Sequence, residues 1–287
     1  MIEQSNDNKG KQDFLKGAFE VNNLIITHPG SAHFDDFFAI SLVLAVNDDV
    51  TYTIERRHPT EAELANPEIW VIDVGMKLEP DLKNFDHHQS TDTPASFMLV
   101  ADHLGLTATL SITPWWEFKD KFDRFGPFKI ADELGIENLL PFINPIEIWF
   151  LELFEQNPGE IYPLMRSFGQ NVIKGASILS SQFEFWANSE KCIVKNKTVL
   201  IGLTNDSTGV QRYSSRMDPP AEISVSYDGR GEGWRLARLN KATDVDFSKL
   251  EGDEKIKFAH KTGFIAKTKQ RIPVNEVMKL VEKAIAD

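Results

Sequence analysis

The sequence predicts an α/β fold with two domains. Over the first 75 residues, short apolar runs that end in a polar side chain alternate with a helical pattern, which indicates a mostly parallel sheet. A long helical segment then ends near residue 186, and strand-like runs follow it. We therefore predict a larger domain over residues 1–190 and a smaller α/β domain over residues 191–287, with the boundary near residues 188–192.

The first strands end in residues that can bind metals. The predicted strands are residues 24–27, 50–56 and 69–72, and the first helix covers residues 37–46. His28 follows the first strand and Asp73 follows the third. Sites in parallel sheets lie outside the carboxyl ends of the strands, so we expect both side chains at that edge.

The remaining elements complete the two predicted domains. In the first domain, helices are predicted over residues 95–104, 115–122, 130–134, 146–154 and 158–186. In the second, strands are predicted over residues 192–194, 198–203, 221–227 and 234–239, with an amphipathic helix from Pro273. Residues 1–12 are polar and are expected to be disordered.

Cysteine content and charge restrict the class of protein. The single cysteine, Cys192, excludes an internal disulfide and a cysteine-based zinc site, and it fits a cytoplasmic protein. No signal peptide or membrane-spanning run is present in the sequence, so no membrane partner is expected.

The net charge of −12 is unevenly distributed along the chain. Residues 1–190 carry −17, which suits cation binding, and residues 191–287 carry +5, which suits binding of an anion. Solvated surfaces alone also explain such an asymmetry.

Three short segments concentrate the residue types that bind metals. Four of the seven histidines lie at positions 28, 33, 87 and 88, each near an aspartate, and Asp73 stands between these windows. The candidate metal ligands are His28, His33, Asp35, Asp73, His87 and Asp123. A two-metal hydrolase needs such a set, and an isolated carboxylate at a strand end suits the bridging position. Mixed imidazole and carboxylate ligands favour Mn²⁺, with Fe, Co or Zn also suitable and Mg²⁺ less favoured.

Simpler explanations apply to single residues of this set. Asp35 and Asp36 fit the start of a helix, where acidic side chains complement the dipole. Asp73, two residues before Gly75, fits a turn, and Asp123 fits a solvated helix. These explanations account less well for the position of all three segments at strand or turn ends.

Several motifs resemble a known family. Asp86-His87-His88 is the defining triplet of the DHH phosphoesterase superfamily. Residues 27–36 (THPGSAHFDD), 73–75 (DVG) and 85–89 (FDHHQ) are together similar to the MYG-type family (melanocyte proliferating gene 1) within it. Residues 258–265 (FAHKTGFI) resemble a later segment of that family, which continues with paired glycines where this chain has residues 266–269 (AKTK).

The resemblance implies a DHH-type fold of two α/β domains with the active site in the cleft between them. It implies one metal ion held by His28, His33 and Asp73, and a second held by Asp35, Asp73, His87 and Asp123. His88 would contact the phosphoryl group, and Asp86 would orient the histidines. Members of the family are described as nucleases that act on RNA, and they also carry an older label of metal-dependent protein hydrolase.

The second domain is expected to bind the substrate. Residues 255–271 contain six Lys and Arg and no acidic residue, which suits phosphate oxygens, although a solvated strand and loop would look the same. The substrate-binding candidates are His260, Lys261, Gly263, Lys267, Arg271 and Arg216. The catalytic candidates are His88, Asp86 and Asp36.

Together these features predict a hydrolase that cleaves phosphodiester or phosphoester bonds with a water activated by two divalent metal ions. A net charge of −12 argues for a short RNA or other oligonucleotide, or a small phosphorylated molecule, rather than a long nucleic acid. Two alternatives stay open: a metal-dependent hydrolase of another bond, such as a peptide, and a non-catalytic metal-binding interaction protein. Homodimerisation is also left open.

Overall fold

A computed structural model of the chain describes residues 23–286. These residues form two compact units, of which the first ends at Ile173 and the second begins at Lys174. Each unit combines a sheet with helices, so the predicted α/β class is confirmed. The predicted domain bounds, 1–190 and 191–287, stay a prediction, and residues 1–12, which were expected to be disordered, lie outside the described residues.

The first unit contains a five-stranded, mostly parallel sheet. Its strands are β1 (Asn23–Thr27), β2 (Tyr52–Arg56), β3 (Trp70–Ile72), β4 (Leu78–Glu79) and β5 (Asn84–Phe85). The strand order is β2-β1-β3-β5-β4, and neighbouring strands are parallel except β4 and β5. The parallel sheet that the sequence predicts is therefore present.

The helices of the first unit include one that is buried along most of its length. They are α1 (Phe34–Val46), α2 (Glu61–Leu64), α3 (Ser96–His103), α4 (Thr107–Leu110), α5 (Trp116–Leu134), α6 (Pro145–Gln156) and the first part of α7 (Pro158–Ala187). Every residue of α1 from Asp35 to Leu44 is buried, and α1 contacts β3, α3, α5 and α6. A helix that is apolar on all sides belongs in a core, and α1 occupies that position.

Two helices differ from their predicted bounds in ways that affect the aspartates. The first begins at Phe34 rather than at residue 37, so Asp35 and Asp36 lie in its first turn. The other, α5, runs past Asp123 until Gly126, whose φ of 75° and ψ of 168° interrupt the helical backbone, and Pro127 then begins a new helical stretch. The sequence predicted an end at residue 122, since glycine followed by proline normally stops a helix.

The second unit contains a six-stranded mixed sheet. Its strands are β6 (Glu190–Val194), β7 (Lys197–Gly202), β8 (Ile223–Tyr227), β9 (Trp234–Arg238), β10 (Ile256–Ala259) and β11 (Ile265–Thr268), in the order β10-β11-β9-β8-β7-β6. Only β7 and β8 are parallel among these described pairs. The predicted β8–β9 hairpin is confirmed, whereas β10 and β11 were not assigned from the sequence.

Two further helices complete the second unit, namely α8 (Val210–Ser215) and α9 (Val274–Ala284). The apolar side of α9, with Val277 and Val281 fully buried, packs against Ile223, Val225 and Leu236 of the sheet. The predicted C-terminal amphipathic helix is thus confirmed. Within residues 23–286, no helix combines the length and the apolar character that crossing a membrane requires.

The contact between α7 and α1 yields a stability prediction. A Cβ atom on Gly169 would overlap the backbone carbonyl oxygen of Ser41 in α1, so Gly169→Ala forces the two helices apart. We expect a loss of about 1–3 kcal/mol in the free energy of unfolding, measured by urea denaturation of the full chain. The matched control is Gly175→Ala on the same helix, where a Cβ meets nothing within 4 Å. This control should gain about 0.5–1 kcal/mol, and equal effects of both changes would contradict the packing argument.

Candidate metal centre

Three strand ends bring metal-binding side chains to one edge of the first sheet. Strands β1, β3 and β5 are neighbours and run parallel. His28 directly follows β1, Asp73 directly follows β3, and Asp86 and His87 directly follow β5. Because the carboxyl ends of parallel strands share an edge, residues that are almost 60 positions apart meet there.

The ring of His28 presents a buried lone pair to this edge. Its Nδ1 lies 3.0 Å from the backbone oxygen of Pro29. A carbonyl oxygen only accepts hydrogen bonds, so Nδ1 carries the proton and Nε2 of the neutral ring is left as an acceptor. That Nε2 is buried without a hydrogen-bond partner among the described residues, although it lies 3.3 Å from Oδ2 of Asp36 and 3.6 Å from Oδ2 of Asp73. The His33 ring stands beside it, with 5.1 Å between ring centroids.

Asp73 lies at the centre of the cluster in an unusual backbone conformation. Its φ of 58° is left-handed, which costs a non-glycine residue about 1–3 kcal/mol and often marks a functional position. The backbone N–H of Asp73 donates to the oxygen of Phe85 over 2.9 Å and thereby fixes this turn. The carboxylate has its Oδ2 on the side of His28, while Oδ1 lies 3.3 Å from Nε2 of His87. Each oxygen of Asp73 therefore faces a different histidine.

His87 is enclosed by three carboxylates. Its Nε2 lies 3.1 Å from Asp123, 3.3 Å from Asp73 and 3.4 Å from Asp35, yet it makes no hydrogen bond of good geometry with any of them. Burial lowers the pKa of His87, but the three carboxylates outweigh burial and raise this pKa to about 10. Burial and the charges of Asp73 and Asp123 raise the pKa of Asp35 well above its ordinary value. So many buried acidic groups require a positive charge among them.

The donor atoms fall into groups that fit divalent cations. Three groups have all their donor atoms within 4.8 Å of one another: His28, His33 and Asp73; Asp35, His87 and Asp123; and Asp73, His87 and His88. The first group equals one of the two predicted ligand sets, and the second contains every member of the other set except Asp73. The buried, unpartnered Nε2 atoms of His28 and His87 are the kind of lone pair that a metal ion satisfies.

Asp35 is held in position by the start of α3. Its Oδ2 accepts a hydrogen bond from the backbone N–H of Ser96 over 2.8 Å, and its Oδ1 accepts from that of Phe97 over 2.5 Å. The Ser96 hydroxyl also donates to Oδ1 of Asp73 over 3.3 Å. The first N–H groups of a helix have no intrahelical partner, so α3 is suited to orient these two carboxylates.

Asp86 supports His88 rather than facing the cluster. Its Oδ1 accepts from the backbone N–H of His88 over 2.9 Å and lies 2.8 Å from Nδ1 of the same residue, while its Oδ2 accepts from the N–H of Met76. Burial raises the pKa of Asp86, but these hydrogen bonds outweigh burial and hold the pKa below its ordinary value. Asp86 is therefore ionised and fixes the Nδ1–H of His88, whose ring is half exposed.

Asp36 makes three hydrogen bonds that hold it in place. Its Oδ1 accepts from the backbone N–H groups of His33 and Phe37, and its Oδ2 accepts from Nη1 of Arg56 over 2.6 Å. Arg56 also donates to the oxygen of Gly30, so it ties the end of β2 to the turn after His28. Asp36 occupies the N-terminal helix position that the sequence offered as its alternative explanation.

A cavity of about 220 Å³ opens beside the cluster. Its lining residues are His33, Asp73, His87, His88, Ser90, Thr91, Asp123 and Arg124.

The sequence alone did not predict Arg56, Ser96 or Arg124 as parts of the site. Arg124 alone carried a usable signal, because it stands four residues after Asp120 on the predicted helical pattern, the spacing of a helical ion pair.

The substrate-binding candidates lie in the second unit. Five of the six are on or just after the β10–β11 hairpin. In its turn, Lys261 is exposed, His260 contacts Thr262 and Phe264, and Gly263 takes a φ of 70°. Further along the chain, Lys267 pairs with Asp228 and Arg271 stacks on Tyr227. The sixth, Arg216, follows α8 and lies over the ring of Phe183. Their role in substrate binding stays a prediction.

The comparison with protein families agrees with the motifs at the strand ends. Residues 24–97 match the family model MYG1_exonuc, described as "Uncharacterised protein family (UPF0160)". This segment, about a quarter of the chain, is similar to that family. The match contains His28, His33, Asp35, Asp73 and His87 and ends before Asp123, so the resemblance to the MYG-type family is confirmed over the strand-end motifs.

The other comparisons add no argument. No curated protein sequence matches the chain significantly. Among solved structures, an uncharacterized protein from Helicobacter pylori G27 is 11% identical with a TM-score of 0.23, covering 91% of this chain and 99% of its own. RecJ in complex with Mn²⁺ from Thermus thermophilus is 12% identical with a TM-score of 0.24, covering 95% of this chain. The chain spans about half of that RecJ chain, 53% of it, and both scores are too low to bear on fold or function.

The shared position of Asp73 predicts how metal content responds to substitution. Asp73 belongs to two of the three donor groups, whereas Asp123 belongs to one. We expect Asp73→Ala to lose both bound ions and Asp123→Asn to lose one, as measured by elemental analysis of protein reconstituted with Mn²⁺. Asp102→Asn, on the exposed side of α3, is the matched control and should keep both ions. Loss of a single ion in Asp73→Ala would contradict the bridging position.

The raised pKa of His87 predicts proton release on metal binding. At a pH of about 7.5 a group with a pKa of about 10 carries a proton, and a metal ion binds only the neutral ring. Binding should therefore release about one proton from His87, and the apparent affinity for that ion should rise with pH up to about 10. Calorimetric titration with Mn²⁺ in two buffers of different ionisation enthalpy measures the proton count. Equal binding heats in both buffers would contradict this prediction.

Proposed function

We propose that this protein hydrolyses phosphoester bonds with two divalent metal ions as its cofactors. One observation carries the proposal. One group of donor atoms contains Asp73 and a second lies next to it, and each group presents a buried imidazole nitrogen that has no hydrogen-bond partner among the described residues. A protein that only needed to stabilise its fold would pair these nitrogens instead of leaving them beside carboxylates.

The ligand set suits paired ions. Divalent ions bound here would lower the pKa of a water molecule towards neutrality and offset negative charge on a reacting phosphate. Asp73 presents one oxygen to each histidine, and a shared carboxylate reduces the repulsion between two neighbouring cations. Imidazole combined with carboxylate favours Mn²⁺, with Mg²⁺, Co, Fe or Zn as alternatives to be compared.

His88 is proposed to contact the phosphoryl group. Its Nδ1 is fixed by Asp86 at 2.8 Å, so Nε2 is the atom that is left for another partner. The ring is 54% exposed and lines the cavity next to Asp73 and Asp123. A protonated His88 would donate from Nε2 to a phosphoryl or leaving-group oxygen.

The substrate is proposed to be a short oligonucleotide, such as a short RNA cleaved from one end, or a small phosphorylated molecule. The family model that matches residues 24–97 carries an exonuclease name, which supports a nucleic-acid substrate. A net charge of −12 disfavours a broad contact with a long nucleic acid, because phosphate backbones are bound through many Lys and Arg side chains. A short substrate needs fewer such contacts.

The decisive experiment compares hydrolysis by the wild type with that by His88→Ala. With Mn²⁺ present, the wild type should cleave short RNA or a simple phosphodiester, and His88→Ala should be slower by about 10²–10⁴-fold in kcat. His88→Ala should keep its two ions, because His88 contacts phosphate rather than metal in this proposal. The matched control is His58→Ala, which removes a histidine of the same unit that lies away from the cavity lining.

The remaining outcomes separate the alternatives. Cleavage of peptides without cleavage of phosphodiesters would point to a hydrolase of another bond. Intact metal binding with no turnover of either substrate class would point to a non-catalytic metal-binding protein. Loss of an ion in His88→Ala would instead assign His88 to the donor group that it forms with Asp73 and His87.

A further inference from the structure

Arg124 places a permanent positive charge in the cavity beside the candidate ligands. It lies on α5 directly after Asp123 and lines the same cavity as Asp73 and His88. Among the described residues of that lining, no other side chain is a lysine or an arginine. The aspartates that surround Arg124 would repel an anion, so a fixed cation at this place has a specific consequence for anionic ligands.

The guanidinium of Arg124 is held rigidly on one side. Its Nε and Nη2 donate to the two oxygens of Asp120 over 2.9 and 2.5 Å, and its Nη1 donates to the backbone oxygen of Thr91 over 2.8 Å. Asp120 is itself fixed, because its Oδ1 also accepts from the backbone N–H of Ala95 over 2.9 Å. The side chain of Arg124 is only 15% exposed, so it is confined to this geometry.

Part of the hydrogen-bonding capacity of Arg124 is left over. A guanidinium has five N–H donors, and the three hydrogen bonds to Asp120 and Thr91 leave one donor each on Nη1 and Nη2 within the described residues. These two donors belong to a side chain that lines the cavity. A pair of N–H groups on one planar cation matches the spacing of two phosphate oxygens.

We propose that Arg124 binds the phosphoryl oxygens of the substrate beside the metal ligands, and that Asp120 is the positioning residue that holds the guanidinium there. This inference rests on the proposed function, because it takes the anion in the cavity to be the phosphoryl group. A purely structural alternative also exists, in which Arg124 serves only to tie the segment after His88 to α5 through Thr91. The two explanations differ in their consequence for anion binding.

Phosphate binding to the metal-loaded protein tests this inference without turnover. Calorimetric titration of inorganic phosphate into the full chain loaded with Mn²⁺ gives its Kd for the wild type, Arg124→Gln, Arg124→Lys and Lys121→Gln. Arg124→Gln removes two charge-assisted hydrogen bonds, so its Kd should rise by about 10- to 100-fold. Arg124→Lys should weaken binding by about threefold or more, because one ammonium cannot both pair with Asp120 and present a planar pair of donors.

Lys121→Gln is the matched control for charge. It removes one positive charge from the same helix, and Lys121 is half exposed, pairs with Glu133 and does not belong to the cavity lining. Its Kd for phosphate should stay within about twofold of the wild type. The affinity for Mn²⁺ should be unchanged in all four proteins, which distinguishes a contact with phosphate from support of the metal ligands.

Three results would overturn the inference. A Kd within about twofold of the wild type in Arg124→Gln would show that Arg124 does not reach the anion. A parallel loss of Mn²⁺ affinity in folded Arg124→Gln would assign Arg124 the structural role alone. If Arg124→Gln does not fold, as judged by circular dichroism, an unchanged Kd in Arg124→Lys decides against the inference. Failure of the wild type itself to bind phosphate would instead contradict the proposed function, on which this inference depends.

Discussion

The constraint on which the first unit depends is the burial of negative charge around His87. Asp35, Asp73 and Asp123 lie within 3.4 Å of one ring nitrogen, and Asp35 and Asp73 are almost completely excluded from solvent. Taking such charges out of water costs several kcal/mol per group unless a cation compensates them. In the metal-free protein a proton on His87 supplies this charge, and bound divalent ions would supply more of it. Without a cation, burial of this cluster therefore costs folding free energy, whereas a bound cation offsets that cost.

The surrounding elements act mainly to keep these carboxylates in place. The first N–H groups of α3 hold Asp35, the left-handed turn after β3 positions Asp73, and α5 carries Asp123 shortly before its interruption at Gly126. Two neighbouring aspartates are instead paired with arginines. Asp36 with Arg56, and Asp120 with Arg124, are such pairs. In each of these two pairs the arginine offsets the charge of the aspartate.

The sequence allowed much of this arrangement to be predicted, for physical reasons. His28 and Asp73 follow apolar runs that predicted buried strands, and parallel strands bring their carboxyl ends together. The position of Asp123 was harder to predict, since the helix was expected to end at residue 122, whereas the helical backbone of α5 continues until Gly126 interrupts it. Ser96 and Arg56 gave no signal at all. Their roles come from tertiary neighbours 23 and 20 residues away, which local periodicity does not report.

The distribution of charge connects the site to its proposed substrate. An anion that approaches this edge meets carboxylates, so the edge can accept a phosphate only when positive charge exceeds the local negative charge. Bound ions would supply most of that charge, but their number would depend on pH and metal concentration, because His87 must lose its proton first. Arg124 differs in this respect, since a guanidinium stays charged at every accessible pH. In the proposed anion site, an arginine held by Asp120 would thus supply positive charge that does not depend on metal loading.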